Sequence, residues 1–222
     1  MRAYRGLSVL GRTLALRVMR WEVHGLDHLP RSGPAILACN HVSYIDPPLI
    51  GALVPRHVYF MAKDEVFAVP LLGAFLRAIG TFPVRRDRPD VAAVRRALRV
   101  LERGDVLGIF PEGTRNRTSD LRTPQEFRAG VGWLAIRTGA PVLPVAIDGY
   151  VPLGWNADWT RPTRLRVTCG PPMYFGADTF PSTAKPYRAE AARRVREAVQ
   201  RLLVPGAAGA AGASRAEEAG LG

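Results

Sequence analysis

The chain has 222 residues, enough for one domain with a substantial core. Hydrophobic residues make up 47 % and charged residues 23 %, which excludes a fibrous or wholly disordered chain. The formal charge of +12, from 31 Lys and Arg against 19 Asp and Glu, points to an anionic partner: nucleic acid, an anionic membrane surface or a phosphorylated substrate.

The N-terminal segment, residues 1–21, reads as an amphipathic helix. At about 100° per residue, Tyr4, Leu7, Leu10, Leu14, Val18 and Trp21 gather on one side, and Arg2, Arg5, Arg12, Arg17 and Arg20 lie opposite. Such a helix packs on its own domain with the arginines in water, or lies in an anionic membrane interface, or does both. It lacks the apolar block and cleavage site of a secretory signal. No stretch of the chain reaches the roughly 18–20 apolar residues of a transmembrane helix. The expected location is therefore peripheral, at the cytoplasmic face of a membrane.

Strands and helices then alternate over residues 22–203. Short apolar runs at Ala35–Cys39, Val58–Met61, Val106–Phe110, Val142–Ile147 and Leu165–Cys169 read as buried strands. The stretch Val66–Ile79, broken by Pro70 and Arg77, is too short to span a bilayer and suits the core, an acyl path or the membrane interface. Val91, Val94, Leu98 and Leu101 recur at helical spacing after Asp90, a plausible N-cap, and Gly104 supplies the stop. Further helices are expected over Gly130–Thr138, closed by Gly139, and from Arg188 to about Leu203. The sum is a single α/β domain with a mostly buried mixed sheet flanked by helices. Residues 204–222, repetitive in Gly and Ala, are expected to be a disordered tail. Cys39 and Cys169 fall in strand-like runs and are expected as buried free thiols. With the four His they form no ligand-spaced cluster, so no metal is expected.

Three segments carry chemistry. In Asn40-His41-Val42-Ser43-Tyr44-Ile45-Asp46-Pro47-Pro48, His41 follows a strand directly, where α/β sheets place ligands. An Asp46 carboxylate on one ring nitrogen would leave the other as a base, and without a nucleophile elbow the substrate's own hydroxyl would attack. The same spacing also fits a capping Asp beside a satisfied His. In Phe110-Pro111-Glu112-Gly113-Thr114-Arg115-Asn116-Arg117, the Gly113 turn with Thr114, Arg115 and Arg117 fits an anion cradle organised by Glu112, or simply a polar turn. In Gly80-Thr81-Phe82-Pro83-Val84-Arg85-Arg86-Asp87, one arginine fits a phosphate, or both are solvated.

In this order the segments resemble the lysophosphatidic acid acyltransferase (1-acyl-sn-glycerol-3-phosphate acyltransferase) family. Its Asn-His-x-x-x-x-Asp, Gly-x-x-Pro-Val-x-Arg, Phe-Pro-Glu-Gly-Thr-Arg and Val-Pro-Val blocks match Asn40-His41…Asp46, Gly80…Arg86, Phe110–Arg115 and Leu143–Ile147. The resemblance covers roughly residues 20–200 and implies an O-acyltransferase. His41, held by Asp46, would take the proton from a lysophospholipid hydroxyl, which attacks an acyl-CoA or acyl-carrier-protein thioester. Glu112, Gly113, Thr114 and Arg115 match the acceptor-binding block, and Arg86 the other phosphate-binding arginine, with Arg85 as its alternative. Pro144 matches a block that shapes the acyl or thioester site. The implied acceptor is 1-acyl-sn-glycerol-3-phosphate, giving phosphatidic acid, with no bound cofactor. One departure stands in Phe127-Arg128-Ala129-Gly130, where the family carries two basic residues before Gly.

Three other readings stay open: another acceptor (glycerol phosphate, another lysolipid or a glycolipid), a serine hydrolase using Ser43, and a non-catalytic basic module for membrane or nucleic acid. Nucleic acid is disfavoured, because the aromatics are not interleaved with basic residues.

Overall fold

The computed structural model describes residues 22–85, 90–116, 120–149, 165–176 and 179–204. The amphipathic helix expected over 1–21, Arg86, Arg117 and the tail from 205 lie outside the described residues.

Seven strands form one sheet in the order β1-β7-β6-β2-β5-β3-β4. They are β1 (Glu22–His24), β2 (Ala35–Cys39), β3 (Val58–Lys63), β4 (Phe82–Val84), β5 (Val106–Ile109), β6 (Val142–Asp148) and β7 (Arg166–Cys169). All neighbours pair in parallel except β6 with β7, so the sheet is mixed. The helices are α1 (Asp46–Leu53), α2 (Pro70–Ala78), α3 (Val91–Glu102), α4 (Gly130–Thr138) and α5 (Lys185–Leu203).

Parallel strands covered on both faces read as unbroken apolar runs rather than alternating ones. Every residue of β2 is buried, and its side chains alternate between two cores. Ile36 and Ala38 join a layer with α3, α4 and α5, whereas Ala35, Leu37 and Cys39 join one with α1. At about 25 cal/mol per Å², these faces supply most of the drive for folding.

The helix ends follow the expected chemistry. Asp90 caps α3 by accepting from the Ala93 N–H at 3.0 Å, and Gly104 follows the helix with φ 75°. Gly139 closes α4 in the left-handed conformation. Both cysteines are buried and free, as expected. Helix α5 starts three residues before Arg188, with Pro186 in the first turn, where a missing N–H costs nothing. The stretch Val66–Ile79 forms a 3-10 turn and α2, which buries Phe67, Gly73 and Leu76 and leaves Leu71 88 % exposed. Pro47 and Pro48 lie in the first turn of α1, where a missing N–H costs nothing.

Candidate active site

The carboxyl ends of the central parallel strands share one edge of the sheet. Residues 40–46 leave β2 there, and residues 110–116 leave the adjacent β5. Asn40 anchors the first loop as an extra rung on β6: its amide donates to the Ile147 carbonyl at 3.0 Å and accepts the Ile147 N–H at 2.7 Å.

Beyond that anchor the chain curls around one oxygen of Asp46. Oδ2 accepts from His41 Nδ1 at 2.7 Å and from the backbone N–H groups of Val42 and Ser43 at 2.8 Å each. Asp46 is 1 % exposed and begins α1, whose positive end favours the carboxylate. It is thus not a helix cap beside an unrelated His, because the one carboxylate both shapes the turn and holds the ring. With Nδ1 donating, Nε2 is left as the acceptor, and it has no hydrogen-bond partner among the described residues. Phe110 stacks on the imidazole with centroids 4.3 Å apart, and Phe60 stacks behind Phe110 at 5.8 Å.

The second loop is tied to the first at both sides of His41. The His41 N–H donates to Glu112 Oε1 at 2.9 Å, and the His41 carbonyl accepts the Asn116 N–H at 2.7 Å. Glu112 Oε2 accepts from the Gln125 N–H at 3.4 Å. The Glu112 carboxylate is therefore turned inward, 4 % exposed. Burial pushes its pKa up to about 7, against the lowering effect of the two backbone donors.

Gly113 adopts φ 72°, and a Cβ there would stand 2.4 Å from Arg128 Nε, so the Arg128 side chain lies across the turn. Thr114 is exposed. The Arg115 guanidinium sits over the Tyr44 ring, 3.4 Å from its centroid, which joins the two loops a third time. Arg85 extends from β4 beside the site, its backbone N–H held by Asp90 Oδ2 at 2.9 Å. The structure thus brings together His41, Asp46, Glu112, Gly113 and Arg115. Pro144 lies within β6, paired with Ala38 of β2.

Alternative nucleophiles are poorly placed. Burial pushes the Cys39 thiol well above its usual range and Cys169 up to about 12. Ser43 is 3 % exposed inside the Asp46 turn. Among the described residues no group of three or more His, Cys, Asp or Glu could hold a metal ion, and no helix is long and apolar enough to cross a membrane.

Sequence reasoning did not single out Phe110 as the platform under His41, nor Tyr44 beneath Arg115. The Phe-Pro-Glu-Gly-Thr-Arg block contains the first, and the residue-type match carried no hint of stacking. Phe110, Pro111 and Gly113 also border a cavity of about 580 Å³ beside the pair.

Known proteins resemble this chain in sequence and fold. The chain is 31 % identical over 129 residues to the 1-acyl-sn-glycerol-3-phosphate acyltransferase of Bacillus subtilis, covering 58 % of this chain and 62 % of that one. It is 40 % identical over 129 residues to the lyso-ornithine lipid O-acyltransferase of Pseudomonas aeruginosa, covering 58 % and 48 %. The chain thus spans less than two thirds of these relatives' lengths. The crystal structure of the 1-acyl-sn-glycerophosphate (LPA) acyltransferase PlsC from Thermotoga maritima superposes with a TM-score of 0.68 over 91 % of this chain and 80 % of that one; at 24 % identity it shows the fold. The acyltransferase family model matches residues 20–148, a span that holds both loops, the His41–Asp46 pair and β6, and the chain belongs to that acyltransferase family.

Proposed function

We propose that the chain is an O-acyltransferase that moves a fatty acyl group from an acyl thioester, acyl-CoA or acyl-carrier protein, to the free hydroxyl of a lysophospholipid, 1-acyl-sn-glycerol-3-phosphate first among them. The observation that carries this reading is the His41 ring, held through Nδ1 by a buried carboxylate and open at Nε2.

The acceptor hydroxyl gives its proton to Nε2 as its oxygen attacks the thioester carbonyl. Asp46 stabilises the imidazolium that forms. The tetrahedral oxyanion collapses, the C–S bond breaks, and the leaving sulfur takes the proton back from Nε2. Base catalysis of this kind supplies about 10²–10⁴-fold, and positioning supplies more. No metal or cofactor enters these steps.

Glu112 serves the acceptor block indirectly, by holding the His41 backbone. Gly113 gives the loop its turn, and Thr114, Arg115 and Arg86 are the donors available to an anionic headgroup. Attachment at the cytoplasmic surface of an anionic membrane rests on the arginine and leucine pattern of residues 2–21 and on the exposed face of α2. The 40 % identity to a lyso-ornithine lipid O-acyltransferase favours that lipid as a second acceptor.

Purified protein incubated with acyl-CoA and a panel of lysophosphatidic acid, lyso-ornithine lipid and glycerol phosphate, with products read by mass spectrometry, tests both points. Phosphatidic acid is the expected product, and His41→Ala lowers its rate by about 10²–10⁴-fold. Undiminished turnover in His41→Ala would refute the base.

A further inference from the structure

The cavity beside the catalytic pair lies between the sheet and helices α3 and α4. Its volume of about 580 Å³ falls in the range of about 300–1,000 Å³ usual for small-molecule sites. Its wall is apolar, from Val84, Ile109, Val131 and Trp133, and its charged lining among the described residues consists of Arg85, Arg128 and Arg188, with no acid among them. Arg85 has a carboxylate partner, Asp90, at 3.7 Å. Arg128 and Arg188 have none among the described residues, and the buried Nε of Arg188 has no hydrogen-bond partner. A buried donor without an acceptor is costly, and a guanidinium raises that cost.

The backbone brings these two groups to the cavity deliberately close to the reacting edge. The Arg128 N–H donates to the Pro111 carbonyl at 2.9 Å, and its side chain crosses Gly113. Arg188 stands in the second turn of α5, which lies against α4 at Gly132: a Cβ there would be 2.1 Å from the Arg188 carbonyl oxygen. Phe110 lines the cavity and stacks on His41.

We infer that Arg128 and Arg188 form an anion subsite of this cavity, which takes the phosphate or carboxylate head of an anionic single-chain amphiphile with its hydrocarbon on the apolar wall. Arg188 lies outside all four sequence blocks, and it positions and selects the ligand by charge. This inference rests on the acyl-transfer reading for which amphiphile is the natural one, and its test is made without turnover.

His41→Ala protein is titrated calorimetrically with decyl phosphate, decanol and coenzyme A. Decyl phosphate binds, and adding Arg188→Gln weakens it about tenfold, the scale of one charge-assisted hydrogen bond. Arg188→Lys, which keeps the charge, recovers part of that loss. Decanol and coenzyme A bind the variants alike. Equal affinity of Arg188→Gln for decyl phosphate overturns the subsite. So does an equal loss of decanol, which marks a structural role, and so does a loss confined to coenzyme A, which gives the anion to the donor. Acyl transfer by the parent protein is measured apart, so failure of the chemistry and failure of the subsite give different results.

Discussion

Asp46→Asn isolates the charge on which the proposed chemistry depends. The amide oxygen of Asn can occupy the place of Oδ2 and accept from His41 Nδ1 and from the Val42 and Ser43 N–H groups, so the turn can persist. What disappears is the negative charge 2.7 Å from the ring at the moment it becomes cationic. Two unit charges about 4 Å apart attract by about 4 kcal/mol at an effective dielectric near 20, and the neighbouring N–H dipoles already offset part of that. A loss of about 2–4 kcal/mol in the transition state corresponds to a fall of roughly 30- to 1,000-fold in kcat. The assay is release of the coenzyme A thiol under saturating acceptor, with thermal unfolding run in parallel. The expected pattern is a collapse of kcat with a near-native melt and little change in the acceptor KM. An Asp46→Asn protein that keeps more than about a third of wild-type kcat would show that the ring needs no anionic partner, and the division of labour argued for the pair would fall.

Two further perturbations probe the support around the pair. Glu112 binds a proton in the folded state up to about pH 7 but only to about 4.5 when unfolded. Between those values the native state holds more protons, so this group's contribution to stability falls as pH rises through the window and levels off above about 7. The fall is about 3 kcal/mol at about 1.36 kcal/mol per pH unit; urea unfolding from pH 4.5 to 8 shows it as the difference between wild type and Glu112→Gln, and a difference that grows with pH has the wrong sign. Gly108→Ala would place a Cβ 2.2 Å from the Phe60 ring, which backs Phe110 and through it His41. Overpacking should cost about 1–3 kcal/mol and lower kcat, with Phe60→Leu restoring both; a Gly108→Ala protein with native melt and native kcat would show that the aromatic stack is not rigid.

The sheet was largely legible because parallel strands buried on both faces announce themselves as short apolar runs. Asp90 with Gly104, and Gly139, marked helix ends by mechanisms that act within one turn of chain. The elements that escaped are those whose signal is not local. β1 is Glu-Val-His, half polar, and becomes a strand only because β7 lies beside it. β4 contains Pro83 and is three residues long. α1 carries two prolines, residues that end helices everywhere except in the first turn, where a missing N–H is free. At the site, spacing alone favoured an unrelated cap over a His–Asp pair, and three donors converging on one oxygen are visible only in three dimensions. Arg188 had no motif at all: a helix rich in Arg and Glu offers many solvated arginines, and only the packing of α5 on α4 distinguishes this one.

The two loops are better understood as one unit than as a catalytic block and a binding block. His41 is fixed on both sides of its backbone by the second loop, at its N–H by Glu112 and at its carbonyl by the Asn116 N–H. A carboxylate spent on two backbone donors is not available to meet an anionic headgroup, and it would repel one. Glu112 therefore belongs functionally with Asp46, as the second of two buried acids that set where the imidazole stands. Damage to it should register in kcat before it registers in the acceptor KM. In the proposed subsite the anion would meet, besides Arg115, the cations on the far side of Gly113, where Arg128 crosses the turn and Arg188 lines the cavity from the last helix. Ala129, the departure from the two-basic-residue pattern of the resembled family, borders that same cavity. In the proposed subsite Arg188 would supply from another helix the positive charge that this loop lacks, and an anionic acceptor would then need no second basic residue beside Arg128.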